Sequence, residues 1–166
     1  DGVFKERIAG SMLADDKKLK LTKESLMEHC QKIDDTYKKE CWRNQVSIWF
    51  SYFASDTNKV GAHCAAIQKD YWPICFESIG LLNVQIFAVE NQKLIAACEI
   101  VDSFAHDYCL IGEVKEVLFE GKDSNIAYNL CSYVTLNFKD MCLSVYNQMF
   151  ADYKVRFGLS NQLNRN

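Results

Sequence analysis

Apolar positions recur along the chain at steps of four, three, four and four residues. They are Leu26, Cys30, Ile33, Tyr37 and Cys41; Val60, Cys64, Ile67, Tyr71 and Cys75; Leu94, Cys98, Val101, Ala105 and Cys109; and Ala127, Cys131, Val134, Phe138 and Cys142. Such steps trace one face of an α-helix, because 3.6 residues per turn bring the chain back to that face at those offsets. The four registers begin 34, 34 and 33 residues apart, so the pattern predicts a fourfold internal repeat. Each register is read as one "A" helix that carries both of its cysteines.

Just after each second cysteine lies a further apolar residue, Trp42, Phe76, Leu110 or Leu143, followed by a second segment. Helical spacing continues through Val46, Trp49, Phe50 and Phe53, through Val114, Val117 and Leu118, and through Tyr146, Met149, Phe150 and Tyr153. These predict a short "B" helix in each unit. In the second unit Leu82, Val84, Ile86 and Ala88 alternate as a strand would and Gly80 weakens a helix, so a strand competes there. The repeat favours a helix. Pro73, the only proline, falls inside the second A helix and is expected to kink or end it before Cys75.

Polar breaks around 55–59, 90–93 and 121–125 read as turns. They divide a single helical domain over 1–166 into repeats of approximately 22–55, 56–89, 90–122 and 123–156. Upstream, Val3, Phe4, Ile8, Met12 and Leu13 predict an N-terminal helix over 3–14. The expected fold class is all-α: four disulfide-linked helical repeats of about 34 residues, plus that N-terminal helix.

The eight cysteines form four C-x10-C pairs: Cys30 and Cys41, Cys64 and Cys75, Cys98 and Cys109, Cys131 and Cys142. An even, regularly placed set reads as a disulfide framework. On one continuous helix, residues eleven apart are separated by about 16 Å, whereas a disulfide needs Cα atoms within about 7 Å. The expected bridges therefore run between A helices. Parallel neighbours would pair Cys30 with Cys64, Cys41 with Cys75, Cys98 with Cys131 and Cys109 with Cys142; antiparallel neighbours would pair Cys30 with Cys75 and Cys41 with Cys64. His29 and His63 each precede a repeat cysteine, and His106 lies near Cys109, but none has the one-turn spacing that zinc ligands use. No metal or cofactor is expected.

Composition narrows the class further. With 49% hydrophobic and 13% aromatic residues the chain can bury a core, and a net charge of -3 with scattered cations argues against a nucleic-acid surface. No apolar run reaches the roughly 18 residues that a membrane span needs. Disulfides point to an extracellular or lumenal compartment, and a start at Asp1 without methionine reads as a chain whose signal peptide has been removed. Catalytic patterns are missing: there is no C-x-x-C motif and no glycine-rich phosphate loop. Asp34, Asp35, Asp102, Asp107, Glu113 and Glu116 read as the solvated faces of A helices.

Trp49, Phe50, Tyr52 and Phe53 cover more than half the circumference of one helix, so they cannot all face a core. Together with Trp72, beside the pattern-breaking Pro73, they form the candidate surface for a partner or ligand. The expected function is a secreted, disulfide-stabilised module that binds an as yet unknown protein and has no enzymatic activity. The alternative is a carrier of a small apolar ligand or lipid in an interhelical cavity; a small enzyme stands third.

Overall fold

A computed structural model describes residues 25–87, 90–99 and 103–158, and the predicted helix over 3–14 lies outside them. Among the described residues there are eight α-helices and no strand. They are α1 (Ser25–Lys32), α2 (Asp35–Tyr52), α3 (Thr57–Ala66), α4 (Trp72–Ile86), α5 (Asn91–Cys98), α6 (Ser103–Phe119), α7 (Ser124–Leu130) and α8 (Leu136–Arg156), with a 3-10 turn at Lys69–Tyr71 before α4. A short helix ending near the first cysteine and a long helix beginning before the second make up each unit.

All four disulfides form, but inside the units: Cys30 with Cys41, Cys64 with Cys75, Cys98 with Cys109 and Cys131 with Cys142. The pairing expected between A helices is therefore corrected, because the continuous A helix does not exist. The chain folds back between the two cysteines and brings their Cα atoms to 5.6–5.7 Å.

Local chemistry explains the break in units one, two and four. Asp34 leaves the helical region (ψ 140°), and its carboxylate accepts the Thr36 amide at 2.9 Å, which starts α2. Ile67 (ψ 173°) and Gln68 (ψ 137°) are extended, and Pro73 then sits in the first turn of α4. There its missing N–H costs nothing and its fixed φ suits a helix start, so it neither kinks nor ends the helix as expected. In the fourth unit Ser132 Oγ donates to the Asn129 carbonyl at 2.6 Å, and Thr135 (ψ 158°) leads into α8.

Most of the stripe read from the sequence is nonetheless buried. Cys30, Cys41, Val60, Cys64, Ile67, Cys75, Leu94, Cys98, Ala105, Cys109, Ala127, Cys131, Val134 and Cys142 all belong to the core. Two helices folded face to face bury the same positions that one continuous helix would. The doubtful segment of the second unit is helical: Asn83 and Val84 are buried while Ile86 is exposed, so the alternation marked no strand face.

Long helices pack in sequence, α2 on α4, α4 on α6 and α6 on α8, with the short helices flanking them. The α4/α6 crossing is the closest. A Cβ at Gly80 would collide with the Cys109 carbonyl oxygen and come within 2.7 Å of the Glu113 nitrogen. One at Gly112 would collide with the Glu77 carbonyl oxygen and come within 2.9 Å of its Cα. Backbone meets backbone there, and the crossing is flanked by Lys115 on Glu77 at 2.5 Å and Gln85 on Glu116 at 2.6 Å. Between units three and four, the buried Asp107 carboxylate accepts both the Thr135 amide (2.8 Å) and its hydroxyl (2.5 Å).

Gly80→Ala and Gly112→Ala should each destabilise the fold by about 1–3 kcal/mol, since neither obstructing atom is on a side chain that can move aside. Thermal unfolding followed by circular dichroism should show a fall of several degrees in Tm for both. Ser144→Ala, on an exposed position of α8, should stay within about 0.5 kcal/mol of the parent.

Candidate functional site

The five aromatic residues picked out in the sequence separate into core and surface. Trp49 and Phe50 are buried; the Trp49 ring lies 6.1 Å from Trp42 and 5.4 Å from His63, measured between centroids. Tyr52 is 47% exposed and stands edge-on to the partly buried Phe53 at 4.9 Å, and the His63 ring lies 4.7 Å from Phe53. Trp72 belongs to another cluster, with Phe76 and Phe104 both at 6.3 Å and Lys69 at 5.3 Å, while Phe104, Tyr108 and Phe138 pack mutually at 4.6–5.4 Å. Its indole N–H is spent on the Ile67 carbonyl at 3.1 Å.

A more open surface lies where α6 and α8 end. Phe119 is 57% exposed, Val155 75% and Phe157 46%, beside a groove of about 370 Å3 lined by Phe119, Met149, Asp152, Val155 and Arg156. The Arg156 guanidinium lies 5.1 Å from the Phe119 ring and 5.3 Å from the Phe157 ring, and donates to the Leu118 carbonyl at 3.1 Å. Those contacts fix a cation in the wall of an apolar groove. Behind it, Tyr146, Phe150, Tyr153 and Phe157 form a continuous row along α8, with ring centroids 5.2, 5.7 and 4.9 Å apart. Tyr153 anchors the row by donating to the Lys122 carbonyl at 3.1 Å. Three members of the row were visible as a helical face; Phe119 and Phe157 sit at helix ends, where spacing gives no indication of exposure.

A polar cluster inside the core was not foreseen. Asp107, Glu113 and Glu116, read as solvated, are buried. Glu113 and Glu116 meet Asn83 and Gln85 of unit two and Asp107 meets Thr135 of unit four, so neighbouring units cover them from different sides, which one helix's periodicity cannot reveal. Glu113 Oε1 is 3.1 Å from Cys98 Sγ and accepts from Asn83 Nδ2 at 3.1 Å, while Asn83 Oδ1 accepts from Thr57 Oγ1 at 3.4 Å. Asn83 Nδ2 also lies 3.7 and 3.6 Å from the two sulfurs of the Cys98–Cys109 bridge. Glu113 Oε2 has no hydrogen-bond partner. Burial therefore pushes the Glu113 carboxyl well above the usual carboxylate range, against a smaller opposing effect of the Asn83 amide.

Cys98, Cys109 and Glu113 are close enough to hold an ion, but both sulfurs are committed to the disulfide and offer no thiolate. The same bond removes Cys109 as a nucleophile beside His106. His106 instead faces Asp107 at 3.8 Å, and His63 Nδ1 contacts the Lys59 carbonyl at 2.8 Å.

A carboxyl raised in the folded state and ordinary in the unfolded chain makes stability fall with pH. Below the ordinary value both states are protonated; above it the unfolded chain releases its proton first. Relative to Glu113→Gln, which keeps an acceptor for Asn83, the parent should lose stability as pH rises from about 4.5, at about 1.4 kcal/mol per pH unit until the folded carboxyl ionises. Urea unfolding of the two proteins at pH 4, 5, 6 and 7 checks this; a constant difference would contradict it.

Comparison with protein-family models, curated proteins and solved structures finds no match for this chain, so its function rests on the geometry just described.

Proposed function

We propose that this chain is a secreted or lumenal binding module that works by contact with another protein and carries out no chemistry of its own. What supports this reading is the surface at the ends of α6 and α8, where exposed Phe119, Val155 and Phe157 surround an immobilised guanidinium. Large apolar side chains in open positions, beside a preorganised arginine, have the composition of a protein-binding hot spot. The groove between them takes one apolar side chain of a partner, and Arg156 takes its carboxylate or carbonyl neighbour. Asp152 at the same groove adds a polar rim.

Four disulfides fit an oxidising compartment. No helix among the described residues is long and apolar enough to cross a membrane. The carrier reading has less behind it: the space between the long helices is filled by Ile79, Leu110, Val114, Val117 and Leu118, all without solvent exposure. A carrier would need that space open.

Three measurements bear on the proposal. Freshly isolated protein should contain no alkylatable thiol, and eight after reduction in denaturant; eight thiols at the outset would sink the oxidised-compartment reading. A photo-crosslinking phenylalanine analogue at position 119 or 155 should capture the same discrete partner from the fluid into which the protein is released, and one at exposed position 132 should not. With that partner in hand, Phe119→Ala should weaken binding by about 2 kcal/mol, roughly thirtyfold in Kd. Equal capture at all three positions would place the contact elsewhere.

A further inference from the structure

The groove at the ends of α6 and α8 carries its cation in its own wall. Arg156 lines it together with Phe119, Met149, Asp152 and Val155. The guanidinium lies over the Phe119 ring at 5.1 Å and the Phe157 ring at 5.3 Å, and it spends one N–H on the Leu118 carbonyl. A guanidinium has further donors beyond that one, and Arg156 is exposed, so they stay within reach of whatever occupies the groove.

Asp152 stands one turn before Arg156 on α8, the spacing at which a carboxylate and a guanidinium ordinarily pair. Among the described residues the two form no ion pair, because the rings and the Leu118 carbonyl hold the guanidinium elsewhere. The groove therefore offers a cation, an anion and an apolar lining separately. Its complement carries a negative group, a hydrogen-bond donor and an apolar body. The three must lie close together, since the groove measures about 370 Å3, near the lower end of the range for ligand sites. An internal acidic residue of a partner meets this poorly. On a helix its charge belongs to a side chain about 5–6 Å from the nearest apolar one, and the backbone N–H is already bonded. In a strand the two neighbouring side chains point to opposite faces. A C-terminal residue joins a carboxylate, a free backbone N–H and an apolar side chain on a single Cα.

We propose that the groove receives the C-terminal residue of a partner polypeptide, one with an apolar side chain of about the size of leucine. This rests on the reading of the groove as the partner surface and names what enters it. The terminal carboxylate accepts from the spare N–H groups of Arg156, whose planar fork matches it. The backbone N–H of the same residue donates to Asp152, and its side chain packs against Phe119, Met149 and Val155. A partner is then recognised by where its chain ends: extension by one residue, or amidation, takes the charge away from Arg156.

N-acetyl-glycyl-leucine with a free carboxylate is the probe, and the assigned methyl signals of Met149 and Val155 in the 1H–13C spectrum of the whole protein are the reporters. Titrated at constant ionic strength, the peptide should move both signals saturably. Its C-terminal amide should bind at least about tenfold more weakly, the scale of one charge-assisted hydrogen bond. 4-Methylpentanoate, which is leucine without its nitrogen, keeps the carboxylate and the apolar body but offers Asp152 nothing, and should also bind more weakly than the peptide. Arg156→Gln should remove the preference for acid over amide, with the dispersion of the spectrum certifying the fold. Acid and amide bound equally, 4-methylpentanoate bound as tightly as the peptide, an Arg156→Gln variant that still prefers the acid, or shifts that never saturate would each overturn the proposal. The partner surface would survive any of these results, since crosslinking from positions 119 and 155 tests it separately.

Discussion

The reversal of the chain between the two cysteines of each unit is the constraint on which the rest of the structure depends. A helix of seven to ten residues, as in α1, α3, α5 and α7, is marginal in water because nucleation fixes several residues for one hydrogen bond. Here each short helix is joined covalently to the start of its long partner, across a sequence separation of 11. Closing a loop of that length restricts the unfolded chain by about 3 kcal/mol in the entropic account of disulfides. The bond also fixes the faces: both cysteines are core residues, so the apolar stripes of the two helices are directed at each other. A unit closed in this way presents its long helix to the next unit.

The repeat is regular within units and irregular between them. At the α4/α6 crossing two glycines leave no side chain at the points of closest approach, and there the backbones touch. Drawing the helices that close leaves Asn83 and Glu113 buried, and the Asn83 amide pairs with one oxygen of the Glu113 carboxyl beside the Cys98–Cys109 sulfurs. At the position four residues past the second cysteine the other units carry Gln45, Ile79 and Tyr146, so the buried acid belongs to the third unit alone. A carboxyl without a cation is a poor source of stability, since desolvation favours its neutral form. Its effect is on register: sliding α4 along α6 would separate Asn83 from Glu113 and bury two polar groups unpaired, a much larger cost than the bond itself gains.

Much of this was legible. The four stripes, the regular period and the eight paired sulfurs were enough for an all-α fold of disulfide-linked repeats, because burial follows the stripe whether a helix is continuous or folded back on itself. That same indifference hid the break. Leu26, Cys30, Ile33, Tyr37 and Cys41 keep helical spacing straight through Asp34, and only the capping carboxylate of that aspartate, and in their units Pro73 in a first helical turn and the extended Thr135, tell one helix from two. Once the helix was taken as continuous, geometry forbade the pairing that actually forms. The charges failed for a different reason. Asp107, Glu113 and Glu116 are buried by neighbouring units, and a pattern along one helix carries no information about what covers its outer faces.

Covalent closure also bears on what the surface is free to do. In a helical array held only by burial, an end that exposes Leu136, Val155 and Phe119 loses part of the apolar area on which folding depends. Here each unit keeps its own bridge, so those side chains can remain in water without loosening the unit that carries them. The last unit shows this most plainly: Leu136 is 92% exposed one residue from Thr135, which Asp107 holds through both its amide and its hydroxyl. Rigid backbone with open apolar side chains is the arrangement that lowers the ordering cost of association, because little is left to immobilise when a partner arrives.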